Sequence, residues 1–201
     1  MLMNKLDIWW INTPFRKRLL DRVTKKYYSK FFGELKGKTV LEIGCGSGLG
    51  AKIILKYFSP RKIIATELDP RLIAIAKKNI QSKWITVEQA DATKLSYKDK
   101  TFDAVFDYGV IHHLPGPEWK ECLNEVHRVL KPDNIVFLWD LSIESFRAIR
   151  GRIIKLFSVH PYGKMYKKEE FMNYLDLIGF KIIKKVEEPR YFTVVAKKEK
   201  K

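Results

Sequence analysis

A chain of 201 residues, 46% of them hydrophobic, is long enough to bury one substantial core. Its formal charge of +16 sits on an N-terminal stretch (residues 1–38, ten Lys and Arg against three Asp and Glu), a late segment (142–170, seven against three) and the C-terminus (181–201, eight against three). Two cysteines, Cys45 and Cys122, are too few for a disulfide framework and lack zinc-type spacing, no apolar run is long enough to span a bilayer, and the start MLMNKLDIWW is charged too early for a secretory leader. A reduced, cytoplasmic setting is expected, and scarce Asn and Gln with abundant Lys lean toward a thermophilic source.

Pro14 and the helical spacing of Phe15, Leu19, Leu20, Val23, Tyr27, Tyr28 and Phe31 predict an amphipathic helix over 14–32, inside an N-terminal arm that ends at residue 37. The period then changes. Strands are expected at Thr39–Ile43, Lys62–Leu68, Trp84–Gln89, Phe102–Tyr108 and Asn134–Leu141. Helices are expected at Ser47–Phe58 with Ser47 as N-cap, Pro70–Ile80 with Asp69 as N-cap, and Pro117–Leu130. Residues 142–166 are less regular and read as a substrate-side insertion or cap. Lys168–Ile178 is a helix stopped by Gly179, and Phe180–Glu187 with Tyr191–Lys197 are two strands too close together for a crossover. Strand–helix alternation over 39–141 demands a parallel sheet with right-handed crossovers. The expected architecture is therefore a single Rossmann-like, doubly wound α/β domain over 38–201. Its seven-stranded sheet is parallel except for an antiparallel C-terminal edge hairpin.

Chemistry gathers where strands end. Gly44, Gly46 and Gly48 follow the first strand, where missing side chains let the backbone turn and touch a ligand. Glu42, two residues earlier in an apolar strand, is costly to bury without a cationic partner; its alternatives are solvent or a lysine of the N-terminal helix. Glu67 ends the second strand just over twenty residues on, where an acid can accept both hydroxyls of a ribose. Asp91 ends the third strand and can accept from an exocyclic amine or simply form a turn. Asp107 lies near the end of the fourth, followed by His112 and His113, either of which could take a proton from a nucleophile or pack structurally.

In this order the segments resemble the class I S-adenosylmethionine-dependent methyltransferases, closest to the methyltransferase type 11 group: LEIGCGSG at 41–48, TELDP at 66–70, ADA at 90–92, FDAVFDYGVIHHL at 102–114 and HRVLKP at 127–132. The resemblance implies S-adenosyl-L-methionine as cofactor. The backbone of Gly44, Cys45 and Gly46 would face it, Glu42 would hold its methionine end and Glu67 its ribose. Leu68 and Ala92 would cover the adenine face with Asp91 at N6, and Asp107 would lie near the methionine part. Asp107 and His112 are the catalytic candidates, and no metal is implied. Where the family commonly has two glycines after the Lys-Pro pair, this chain has Asp133-Asn134, which also tolerate a left-handed turn. Trp9 and Trp10 could close over the cofactor or anchor the arm.

The methyl acceptor is not written in these motifs. A small or moderately apolar molecule is favoured because no appended RNA-binding domain is present. RNA or an anionic surface, met through the basic arm and residues 142–170, is the alternative. Ser145–Phe157, alternating basic and apolar residues on an expected helix, suits either. Two rivals remain on the same fold: a nicotinamide-binding domain, through Gly46-x-Gly48-x-x-Ala51, and a non-catalytic binding module.

Overall fold

The computed structural model describes residues 4–146 and 161–200. Strand β1 (Thr39–Ile43) alternates its side chains, so Leu41 and Ile43 enter one core layer and Val40 the other. It is joined by β2 (Lys62–Glu67), β3 (Ile85–Gln89), β4 (Phe102–Tyr108), β5 (Leu130–Asp140), β6 (Phe180–Glu187) and β7 (Phe192–Lys198). The seven strands lie in the order β3-β2-β1-β4-β5-β7-β6. β1 to β5 pair in parallel, and β7 runs antiparallel to both β5 and β6. The C-terminal hairpin thus inserts its second strand beside β5 and leaves its first at the edge. The strand order reverses at β1/β4, the place where open α/β sheets leave a crevice for ligands.

Helices cover both faces. On one, α2 (Pro14–Tyr28), α3 (Leu49–Phe58) and α4 (Pro70–Asn79) bury Leu20, Val23, Tyr27, Ile54, Phe58 and Ala76 against Val40, Ile63, Ala104, Phe106 and Phe137. On the other, α5 (Glu118–Val129) and α6 (Lys168–Leu177) pack Leu123, Val126, Phe171 and Leu175 on Leu41, Val105, Val136 and Val194. The N-terminal arm is therefore part of the core. Its one further helix among the described residues, α1 (Lys5–Ile11), has no counterpart in the sequence reading.

The remaining differences have local causes. The helix expected over 14–32 tightens to a 3-10 turn at Ser29–Phe31, and Phe15, counted on its apolar face, is 55% exposed. Ser47 does not cap α3. Gly48 does, with φ of 84°, a left-handed conformation that favours glycine. Asp69 caps α4 as expected, accepting from Arg71 N at 2.9 Å. β5 starts at Leu130 rather than Asn134, and its register shifts opposite Phe102–Ala104; Asp133 takes the left-handed turn with φ of 60°. The helix expected over Ser145–Phe157 lies, from residue 147 onward, outside the described residues. Ile143–Phe146 is a 3-10 turn.

Aromatic packing locks α3 to the sheet. Phe58 meets Phe106 and Phe137 edge-on, at 5.0 and 5.3 Å between ring centroids, while Phe106 and Phe137 stack at 4.5 Å. Truncating this fully buried ring leaves a cavity that rigid neighbours cannot fill. Phe58→Ala is expected to lower the unfolding free energy by about 3–5 kcal/mol, read from urea denaturation.

Candidate functional site

Parallel register brings the strand ends level. Ile43 pairs with Asp107, and Glu67 with Gln89. The loop after β1 then turns back under tight backbone control. Cys45 N donates to Thr66 O at 2.7 Å, and Gly48 N to Cys45 O at 2.8 Å. Gly44 sits at φ of 56°, and a Cβ there would overlap the Val110 side chain, so only glycine fits.

Above this loop lies a cleft of about 110 Å³. Glu42, Gly44, Cys45, Gly46, Glu67, Leu68, Asp91 and Ala92 all line it, so eight of the sequence candidates meet in one place. Ile11, Leu20, Leu49, Val110 and Leu114 give it apolar walls.

The three acids stand in different environments. Glu67 is partly exposed. Its Oε2 accepts from Gly46 N at 2.9 Å, and its Oε1 from Leu68 N and Asp69 N at 2.8 and 3.0 Å. Oε2 therefore keeps one acceptor position for a ligand hydroxyl. Asp91 uses Oδ1 for a turn with Thr93, accepting from its N at 2.8 Å and its hydroxyl at 2.7 Å; the turn role and the cleft position coexist. Glu42 is buried beneath the start of α3, where a Cβ on Gly50 would overlap its Oε1. Its Oε2 has no hydrogen-bond partner among the described residues. Burial pushes this carboxyl up to about 8, against the opposing pull of the Ala51 N–H and of Arg16.

Asp107 and His112 are placed one layer behind the cleft rather than on its wall. Asp107 is fully buried; its Oδ1 accepts from Val110 N at 2.9 Å, shaping the Gly109–Val110 turn that the cleft touches. Burial and the nearby Asp140 hold its carboxyl well above the usual range. The His112 ring is turned inward, with Nδ1 on Asp140 Oδ1. Asp140 also accepts from His112 N at 3.0 Å and from Tyr166 Oη at 2.9 Å, and burial pushes it up to about 7. His113 lines the cleft.

Several residues here went unread in the sequence. Arg16 reaches from α2 to donate to Tyr108 O at 2.7 Å and lies 5.0 Å over the Trp139 ring. Burial lowers its guanidinium to about 10, although Asp107, Asp140 and Glu42 all favour the charge. The signal was available: Arg16 precedes Leu20, Val23 and Tyr27 by four, seven and eleven residues, on the buried stripe of α2. Asp140, ending the apolar run IVFLWD, could have been found by the logic used for Glu42. Gly50 and Tyr166 carried no comparable mark.

Comparison with known proteins agrees with this geometry. Residues 41–138 match the family described as "Methyltransferase domain". Fatty-acid O-methyltransferase of Mycolicibacterium smegmatis is 34% identical over 99 residues, covering 49% of this chain and 35% of that protein. Phthiotriol/phenolphthiotriol dimycocerosates methyltransferase 1 of Mycobacterium ulcerans is 31% identical over 121 residues, covering 60% of this chain and 44% of that protein. The matched stretch thus spans less than half the length of these relatives. Among solved structures, an S-adenosylmethionine-dependent methyltransferase from Aquifex aeolicus superposes with a TM-score of 0.74 at 24% identity, covering 96% of this chain and 97% of that one.

The buried acid has a measurable consequence. Between pH 4.5 and about 8 the folded protein keeps the Glu42 proton that the unfolded chain has lost, so stability falls as pH rises through that window and levels off above it. In Glu42→Gln this contribution vanishes. The variant is expected to gain about 1.4 kcal/mol on the wild type for each pH unit across the window, read by denaturant titration at several pH values. A stability difference that does not change with pH would contradict the burial of an unpaired acid.

Proposed function

We propose that the chain is a class I S-adenosylmethionine-dependent methyltransferase of the type 11-like group, and that it transfers a methyl group from S-adenosyl-L-methionine to a small, moderately apolar acceptor. One observation carries the cofactor reading: Glu42 Oε2, buried among the residues of the cleft, has no partner among the described residues. A cationic ammonium is the chemistry that relieves such an oxygen. When bound, the cofactor supplies a methyl group on a sulfonium, open to in-line displacement.

Everything else is positioning and exclusion of water. Glu42 would hold the ammonium, and the backbone of Gly44, Cys45 and Gly46 would follow the methionine part. Glu67 would take a ribose hydroxyl on Oε2, and Asp91 the adenine amine, with Leu68 and Ala92 against the ring. Asp107 serves by fixing the Gly109–Val110 turn through Val110 N. His112, tied to Asp140, fixes the segment that carries His113 to the cleft wall, and so acts as a positioning residue.

The apolar walls of Ile11, Leu20, Leu49, Val110 and Leu114 favour an apolar acceptor, and the names of two relatives, for a fatty acid and for phthiotriol dimycocerosates, point the same way. Transfer to RNA is the second reading. It draws on the basic N-terminal stretch, with ten Lys and Arg against three acids over residues 1–38.

Calorimetric titration with S-adenosylmethionine tests the cofactor site. Glu67→Ala and Asp91→Ala are each expected to weaken binding about tenfold, the equivalent of one lost charge-assisted hydrogen bond. Unchanged affinity in both variants would remove the assignment. Labelled methyl transfer to lipid, metabolite and RNA extracts then separates the acceptors. Label found in RNA alone would overturn the small-molecule reading.

A further inference from the structure

Helix α1 shows apolar residues on two opposite sides. On its inner side Ile11 lines the cleft and approaches the glycine loop, where a Cβ on Gly46 would lie 3.2 Å from its Cδ1. Asp7, one turn earlier on that side, is buried. Leu6 and Trp9, three residues apart, share the outer side and are 46% and 63% exposed. The core gives no reason for a leucine and a tryptophan to face outward together.

Cations adjoin them in the chain. The first turns of α2 expose Lys17, Arg18 and Arg22, and among the described residues none of their side chains makes an ion pair or a hydrogen bond. Lys25, farther along the same helix, is by contrast paired with Asp21 at 2.9 Å. Arg18 and Arg22 lie opposite the buried stripe of Leu20, Val23 and Tyr27, so they point away from the protein body.

We propose that α1 and the first turns of α2 form a docking surface for an anionic lipid bilayer. Leu6 and Trp9 enter the boundary between headgroups and acyl chains, and Lys17, Arg18 and Arg22 face the lipid phosphates. Outward Trp and Leu, followed in the chain by outward Lys and Arg whose side chains are unpaired, match the two layers of that boundary, apolar below and anionic above. RNA fits less well, because it offers nothing to an outward leucine. The inference rests on the apolar-acceptor reading and adds a route to it. The helix that contacts the bilayer also forms a wall of the cleft through Ile11, so an acceptor dissolved in lipid would be presented beside the methyl-transfer site.

Co-sedimentation with vesicles of phosphatidylcholine, with and without about a third phosphatidylglycerol, tests the surface. The full chain is expected to pellet with the anionic vesicles and to shift its tryptophan emission to the blue. Leu6→Ser/Trp9→Ser is expected to bind about tenfold more weakly and to lose the shift, and Arg18→Gln/Arg22→Gln to lose the preference for phosphatidylglycerol. Both variants should bind S-adenosylmethionine as the wild type does, which shows that they fold. That titration also keeps failure of the docking surface separate from failure of the cofactor site. The proposal is overturned if the wild type ignores anionic vesicles. It is also overturned if the Leu6/Trp9 variant pellets as fully as the wild type, or if a mixed-sequence RNA is bound more tightly than the vesicles and unaffected by that variant.

Discussion

A carboxylate placed in the middle of an apolar sheet governs the ligand end of this molecule. Glu42 occupies the β1 side facing α2 and α3, and α3 accommodates it by placing Gly50 of its first turn over its Oε1 and by pointing the Ala51 N–H at it. Ionising an acid there without a counter-charge is expensive, so the folded state keeps the proton well into the neutral range. Such a site stores a preference for a cation. The loop above leaves no room for bulk either: a side chain on Gly44 would collide with Val110.

Around Glu42 the charges form two tiers. The cleft tier, Glu67 and Asp91, is bound to backbone amides or turn donors and lines the cleft. The deeper tier joins Asp107, Asp140, His112, Tyr166 and the Arg16 guanidinium. Arg16 also lines the cleft, while Asp107, Asp140, His112 and Tyr166 lie behind it, with Asp107 Oδ2 unpartnered among the described residues; this tier chiefly shapes the loops. Its hydrogen bonds go to backbone groups such as Val110 N, Leu141 N and His112 N, and so fix where the loops after β4 and β5 stand. The division accounts for why two acidic or basic candidates next to the right motif are not themselves on the cleft wall.

Much of this was legible in the residues. β1, β4 and β6 were read with their observed boundaries, because each is a short run rich in apolar and β-branched or aromatic residues, stopped by glycine or by a turn. The converging acids were legible because a strand ending in a carboxylate breaks its own pattern. What could not be read depended on long-range contact. Nothing in KLDIWWI says which side of α1 will meet the glycine loop, and Ser47 looked like a cap until the left-handed Gly48 took its place. His112 and His113 are adjacent and chemically identical. Only the position of Asp140, twenty-eight residues later, decides which ring turns inward.

The manner in which α2 closes the cleft has a consequence for how the chain assembles. Arg16 is secured by Tyr108 O across 92 residues, and Thr24 by the Tyr108 hydroxyl across 84. The α2 segment, made before β4, therefore has to wait for that strand before it gains its fastenings. Such distant pairings raise contact order and slow the final step of folding. Until then the amphipathic stripe of α2 stays uncovered, the interval in which a nascent chain of this design is most open to chaperones.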